Sequence, residues 1–115
     1  MIVLVPPEPD QTTQFYVKRI VGLPGEKVQV KSGKVVIYNA TYPFGFMLDE
    51  SYLPADERTE GSSSEPVPVP NGSYYVLGDN REHSNDSRYW GVLPRRNIVG
   101  QVGEHLWPIH AAPER

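Results

Sequence analysis

A chain of 115 residues with a formal net charge of −3, twelve prolines and no cysteine has room for one domain of ordinary size and none for disulfide or thiol chemistry. The acidic balance offers nothing to a nucleic-acid partner. No run approaches the roughly 18 apolar residues of a membrane-spanning helix, and Met1-Ile2-Val3-Leu4-Val5, stopped by Pro6-Pro7, does not read as a signal peptide.

Ile2-Val3-Leu4-Val5 reads as a first strand, and residues 6–11 as a proline-rich acidic connector that no central strand tolerates. Next comes Gln14-Phe15-Tyr16-Val17-Lys18-Arg19-Ile20-Val21, a β-branched and aromatic run with cations in its middle, stopped by Gly22-Leu23-Pro24-Gly25. Such a run is a strand. Alternation puts Phe15, Val17, Arg19 and Val21 on one face and Tyr16, Lys18 and Ile20 on the other. Lys18 and Arg19 therefore point opposite ways, and only one of them can reach any single site. Flanked by Tyr16 and Ile20, Lys18 is a candidate for a desolvated amine. Burial disfavours the charged form of a lysine and lowers its pKa, which is how a lysine becomes a general base. The simpler alternative lays the stem on apolar surface and leaves the head in water.

Lys27-Val28-Gln29-Val30-Lys31 alternates, Ser32-Gly33 makes a two-residue turn, and Lys34-Val35-Val36-Ile37-Tyr38 returns as the second arm of a hairpin. Its outward Lys27, Lys31 and Lys34 are solvated positions that discourage edge pairing. Residues 39–72 are broken by proline and glycine and predict an irregular insertion. Within it, Tyr42, Phe44, Phe46, Met47 and Leu48 are expected to pack over the core as a satellite cluster. The other reading is an exposed patch for substrate or lipid headgroups.

Ser73-Tyr74-Tyr75-Val76-Leu77 is a strand that runs into the polar loop Gly78-Asp79-Asn80-Arg81-Glu82-His83-Ser84-Asn85-Asp86-Ser87-Arg88, which leaves through Tyr89-Trp90-Gly91. Gly78 is expected to permit the turn that Asp79-Asn80 begins. A metal site built on Asp79, Glu82, His83 and Asp86 is a weak reading, because His83 lacks partners at ligand spacing and Arg81 and Arg88 offer simpler pairings. Residues 97–103 and 105–109 predict one or two final strands, and residues 111–115 a frayed tail. No stretch of ten residues carries a helical stripe, so the fold is expected to be mainly β, as antiparallel sheets or a partly open barrel with long irregular loops and little helix. Sheet pairing would bring Lys18 near the 78–88 loop.

Two segments, Tyr16-Val17-Lys18-Arg19-Ile20-Val21-Gly22-Leu23-Pro24-Gly25-Glu26 and the 78–91 loop, closely resemble the lysine box and the GDN…S.DSR box of type I signal peptidases, membrane-bound serine peptidases with a Ser/Lys dyad. The resemblance runs from about Ile2 to Pro108. It implies that Lys18 is the general base, that Ser84 hydrogen-bonds and orients the Lys18 amine, that Arg19 pairs with Asp79, that Asp86 pairs with Arg88 to hold the loop, and that Asn80 shapes the turn. It further implies a substrate, the signal peptide of a secreted preprotein, and a site on the outer face of the cytoplasmic membrane. No metal or other cofactor is expected.

The family's nucleophilic serine lies upstream of the strand that Ile2-Val3-Leu4-Val5 matches, as does its membrane anchor, through which the lipid surface would be met. The chain is therefore expected to be a single β-rich domain, 1–115, forming the carboxy-terminal part of the extracytoplasmic catalytic region, inactive by itself, with Met1 an introduced start. Missing strands would leave an open edge, so a dimer or a strand swap of the fragment is expected. Two alternatives stay open: a self-cleaving repressor-type Ser/Lys peptidase, and a non-catalytic β module.

Overall fold

A computed structural model describes residues 1–7, 15–61, 65–102 and 106–107 of the chain. They form ten strands in two sheets, all of whose pairings are antiparallel. The first sheet holds β1 (Ile2–Leu4), β2 (Tyr16–Gly22), β7 (Ser73–Leu77), β8 (Leu93–Pro94), β9 (Ile98–Val102) and β10 (Leu106–Trp107), in the order β10-β9-β1-β2-β7-β8. The second holds β3 (Lys27–Lys31), β4 (Lys34–Tyr38), β5 (Phe46–Met47) and β6 (Val67–Pro68), in the order β5-β4-β3-β6. Among the described residues helix is confined to one four-residue turn, α1 (Ser87–Trp90), and two short 3₁₀ turns, Arg81–His83 and Arg95–Asn97. The chain is mainly β with little helix, as its patterning predicts.

The hairpin of β3 and β4 closes on Lys31 opposite Lys34. Ser32 and Gly33 both take positive φ, 53° and 79°, the conformation of a two-residue turn whose twist matches that of the strands it joins. Lys27, Lys31 and Lys34 are exposed.

Strands β2 and β7 are central because they carry apolar residues on both faces. Every residue of β7 is buried, and period-two alternation sends neighbours to opposite sides. Tyr75 and Leu77 join Val21, Val28, Val35, Ile37 and Val69 in one core, under the second sheet. Tyr74 and Val76 join Ile2, Leu4, Ile20 and Leu93 in the other. Adjacent residues Ile20 and Val21 of β2 divide between the two cores in the same way. The pair β2–β7 is thus the partition between two hydrophobic clusters, and the polar 78–88 loop leaves from its end.

Two expectations change. The 39–72 segment is not wholly irregular: Phe46–Met47 adds an edge to β4 and Val67–Pro68 an edge to β3. Each strand is two residues long, too short for any alternation to show. The apolar group at 42–48 splits rather than forming one satellite cluster. Phe46 and Leu48 pack against the core under the second sheet, but Tyr42, Phe44 and Met47 are exposed, Phe44 by 96%. After the positive-φ turn at Gly45 the chain pairs with β4, and alternation sends Phe46 and Leu48 to the core and Met47 outward. Residues 8–11 of the expected 6–11 connector and the expected tail at 111–115 lie outside the described residues.

Candidate functional site

Lys18 sits mid-strand on β2, opposite Ile2 of β1. Its neighbours on the same face are Tyr16, whose ring centroid lies 5.2 Å from Nζ, and Ile20, which is buried. From this half-buried place the amine donates to Ser84 Oγ at 2.8 Å. Its pKa lies below the ordinary lysine value, chiefly through desolvation; the Asp86 carboxylate opposes the shift and the Arg88 guanidinium assists it. A lysine so placed is easier to deprotonate than a solvated one.

Ser84 follows the Arg81–His83 turn with extended backbone, φ −129° and ψ 131°, and lies directly over Gly78. A Cβ built on Gly78 would stand 2.0 Å from Ser84 Oγ and 3.2 Å from Lys18 Nζ. The sequence-based reason for this glycine, turn flexibility, is therefore incomplete. Its φ is outside the positive range, and what it supplies is space for the amine and hydroxyl to meet.

Below Ser84 lies Asp86, fully buried. Its Oδ1 accepts from the Arg88 backbone N at 3.2 Å and from Arg88 Nε at 2.9 Å, while Oδ2 accepts from Arg88 Nη2 at 2.8 Å and from the Gly78 backbone N at 3.1 Å. Burial alone would raise this carboxyl's pKa. The Arg88 side chain, the Gly78 N–H and the Ser84 hydroxyl outweigh burial and hold the pKa below the usual carboxylate range. The same carboxylate caps α1. Ser84 is thus placed between the Lys18 amine and an ionised aspartate.

Arg19 points to the other side of β2, as alternation requires, but it reaches the same loop. Its Nε and Nη2 donate to Asp79 Oδ1 and Oδ2, both at 2.9 Å, a bidentate pairing that fixes orientation as well as charge. The Arg19 hydrogen bond holds the Asp79 carboxyl below its ordinary pKa. The two cations, on opposite faces of β2, meet different groups of one loop, Lys18 at Ser84 and Arg19 at Asp79. Arg19 pairs with Leu77 across β2 and β7, so the loop starts beside Arg19 and then crosses to the Lys18 face. Asn80 is exposed and its side chain does not cap the Arg81–His83 turn; its contribution is its carbonyl, which accepts from the His83 N–H at 3.0 Å.

Sequence reasoning offered Arg81 only as a pairing partner for carboxylates of its own loop, whereas its side-chain partners lie in the 50–59 segment. Its guanidinium is fully buried. Nε donates to the Gly78 carbonyl at 2.8 Å and Nη1 to Thr59 Oγ1 at 2.6 Å, and Nη2 pairs with Glu50. Its backbone N donates to Glu57 Oε1 at 2.9 Å. Arg88 adds a bond from Nη1 to the Glu60 carbonyl at 2.7 Å. The 50–60 segment, read as part of an irregular insertion, is the outer wall of the loop. The available signal was a stretch with Glu50, Glu57 and Glu60 but few cations, facing a loop with Arg81 and Arg88.

Comparison with known proteins places these features in company. The family model described as signal peptidase, peptidase S26, matches residues 1–107. The probable signal peptidase I-2 of Synechocystis sp. is 45% identical over 94 residues, covering 82% of this chain and 39% of that protein. Signal peptidase I of Leptolyngbya laminosa is 40% identical over 101 residues, 88% of this chain and 45% of that protein. A crystal structure of a signal peptidase I from Enterococcus faecalis superposes with a TM-score of 0.66 at 29% identity, covering 89% of this chain and 92% of that one. The chain spans less than half the length of the two curated relatives.

Proposed function

The chain belongs to the signal peptidase family, peptidase S26, and from that premise we propose that it carries the base half of a Ser/Lys endopeptidase that cuts signal peptides from secreted preproteins. The observation that carries the proposal is the 2.8 Å contact between Lys18 Nζ and Ser84 Oγ, made by an amine whose protonated form is disfavoured by burial. Neutral Lys18 takes the proton of a nucleophilic serine, which we assign to a segment outside this chain. The serine oxygen then bonds to the scissile carbonyl carbon. The protonated lysine returns that proton to the departing amine as the C–N bond breaks, leaving an acyl-enzyme. A water, deprotonated in turn by Lys18, releases the acyl group.

Ser84 steers this chemistry. With its own hydroxyl directed at ionised Asp86, it receives an amine N–H from Lys18, and the amine lone pair is left for the nucleophile. The site lies on the extracytoplasmic side of the cytoplasmic membrane, against the lipid surface, with anchoring assigned to sequence outside the described residues. Among those residues no helix is long and apolar enough to cross a membrane.

In the complete enzyme, Lys18→Ala removes the base and lowers kcat for a signal-peptide substrate by at least about 10²–10⁴-fold. Ser84→Ala costs less, because the amine stays in place with looser aim. Activity rises with pH through the lowered lysine pKa and then levels, since only the neutral amine is a base. Undiminished turnover by Lys18→Ala sinks the proposal.

A further inference from the structure

We infer that the 50–59 segment is a strap that sets the position of the Ser84 hydroxyl against Lys18, and that Glu50 and Tyr52 are its positioning residues. This rests on the reading of Lys18 as the base and extends it to residues outside the two sequence boxes.

Both ion pairs that flank Asn80 are tied to one place on this strap. Glu50 is the carboxylate that meets the buried Arg81 guanidinium. Tyr52 donates its hydroxyl to Glu50 Oε2 at 3.1 Å, and its ring stacks on the Arg19 guanidinium, 3.7 Å from centroid to Cζ. Arg19 in turn grips Asp79 with two bonds. Glu50 and Tyr52 therefore link the Arg19–Asp79 pair to the Arg81 pair. Planar stacking of a guanidinium on an aromatic ring restricts it to a narrow set of orientations.

The link to the chemistry runs through Gly78. Arg81 Nε binds the Gly78 carbonyl at 2.8 Å, and the Gly78 N–H binds Asp86 at 3.1 Å. Gly78 is the residue over which Ser84 Oγ and Lys18 Nζ converge, with no room for a Cβ between them. A guanidinium that loses its counter-charge in a buried site does not stay where it was, because an unpaired buried charge is costly. When Arg81 shifts it takes the Gly78 carbonyl with it, and the hydroxyl moves off the amine. Thr59 and Glu57 complete the attachment through the Arg81 side chain and backbone N, so the strap is fastened at both ends.

The experiment follows the Lys18 side chain directly by ¹³C- and ¹⁵N-detected pH titration in the 115-residue chain, comparing the unaltered protein with Glu50→Gln, Tyr52→Leu and Tyr52→Phe. Amide spectra select the conditions in which each variant is folded. Glu50→Gln and Tyr52→Leu are expected to move the Lys18 titration upward, toward that of a solvated lysine, as the amine loses Ser84 and gains water. Tyr52→Phe keeps the ring on Arg19 and returns most of the shift. In the complete enzyme the same order holds, with kcat reduced by up to about 100-fold and KM little changed. Tyr52 is partly exposed, so Tyr52→Leu tests the strap even where Glu50→Gln does not fold. A Lys18 titration identical in folded Tyr52→Leu and in the unaltered chain, accompanied only by lower thermal stability, overturns the strap. An ordinary lysine titration in the unaltered chain overturns the dyad reading itself.

Discussion

Strand β7 and the loop that follows it are continuous in sequence and opposite in construction. From Ser73 to Leu77 every residue is buried, and four of the five sit in one or other hydrophobic cluster. Stability there comes from apolar area removed from water, which has no preferred direction. From Gly78 to Arg88 the buried side chains are polar, Arg81, Asp86, Ser87 and Arg88, and three of the four are charged. A loop cannot bury guanidinium and carboxylate groups unless nearly every donor and acceptor is matched, and these are matched by directional bonds at 2.6–3.2 Å. The strand tolerates a change of shape. The loop holds two polar atoms at hydrogen-bond distance and tolerates little.

The sharpest way to break the contrast is to remove one charge. Asp86→Ala strands the buried Arg88 guanidinium and takes the acceptor from the Gly78 and Arg88 backbone N–H groups. Breaking a buried pair from one side costs about 3–5 kcal/mol, measurable as a lower midpoint in denaturant unfolding. Leu77→Ala, in the core, costs a comparable roughly 2–5 kcal/mol. The two differ at the site: Asp86→Ala releases Ser84 and, by removing the carboxylate that favours the charged amine and leaving Arg88 unpaired, lowers the Lys18 pKa further, whereas Leu77→Ala leaves the hydroxyl in place. Equal disturbance of Lys18 by both removes the distinction between the regions.

Gly78→Ala comes next. The added methyl overlaps Ser84 Oγ, and relief by displacement costs about 1–3 kcal/mol, as overpacking does. That modest loss conceals a large local change, since Ser84 is the atom that must give way. A crystal structure of the variant is expected to show the Lys18–Ser84 bond broken while β2 and β7 keep their register.

The same contrast explains what the sequence made legible. The β3–β4 hairpin and β7 are local: alternation, a Ser32-Gly33 turn and an unbroken apolar run suffice, and each element ends where its pattern ends. The meeting of Lys18 with Ser84 is not local. Taken as a pattern, Lys18 fits a solvated strand position as well as a buried one, and the box resemblance, not periodicity, pointed to its partner 66 residues away. Arg81 was harder still, because its partners Glu50 and Thr59 lie 31 and 22 residues back in a stretch that proline and glycine leave without periodicity. Tyr42, Phe44 and Met47 mislead for a different reason. Hydrophobicity alone says that a residue prefers burial, and only chain geometry decides whether the core is within reach.

The smallest effect sharpens the comparison by acidity. Asp79 and Asp86 have native pKa values held below those of free carboxyls, Asp79 by Arg19 and Asp86 by Arg88, Gly78 and Ser84 against the cost of burial. Below about pH 4 the unfolded chain therefore binds more protons at these two positions than the native one. The stability they contribute is complete above the unfolded pKa and is lost as the pH falls through the native pKa values. The apolar region has no counterpart to this loss. Unfolding midpoints measured from neutral pH downward are expected to fall steeply for the unaltered protein and less steeply for Asp79→Asn, which removes one of the two titrating carboxylates. Leu77→Val is expected to lower the whole curve without changing its shape. A core variant that flattened the acid limb as much as Asp79→Asn would mean that the two regions share their charge coupling, and that the loop is not the only part of this molecule held together by ionised groups.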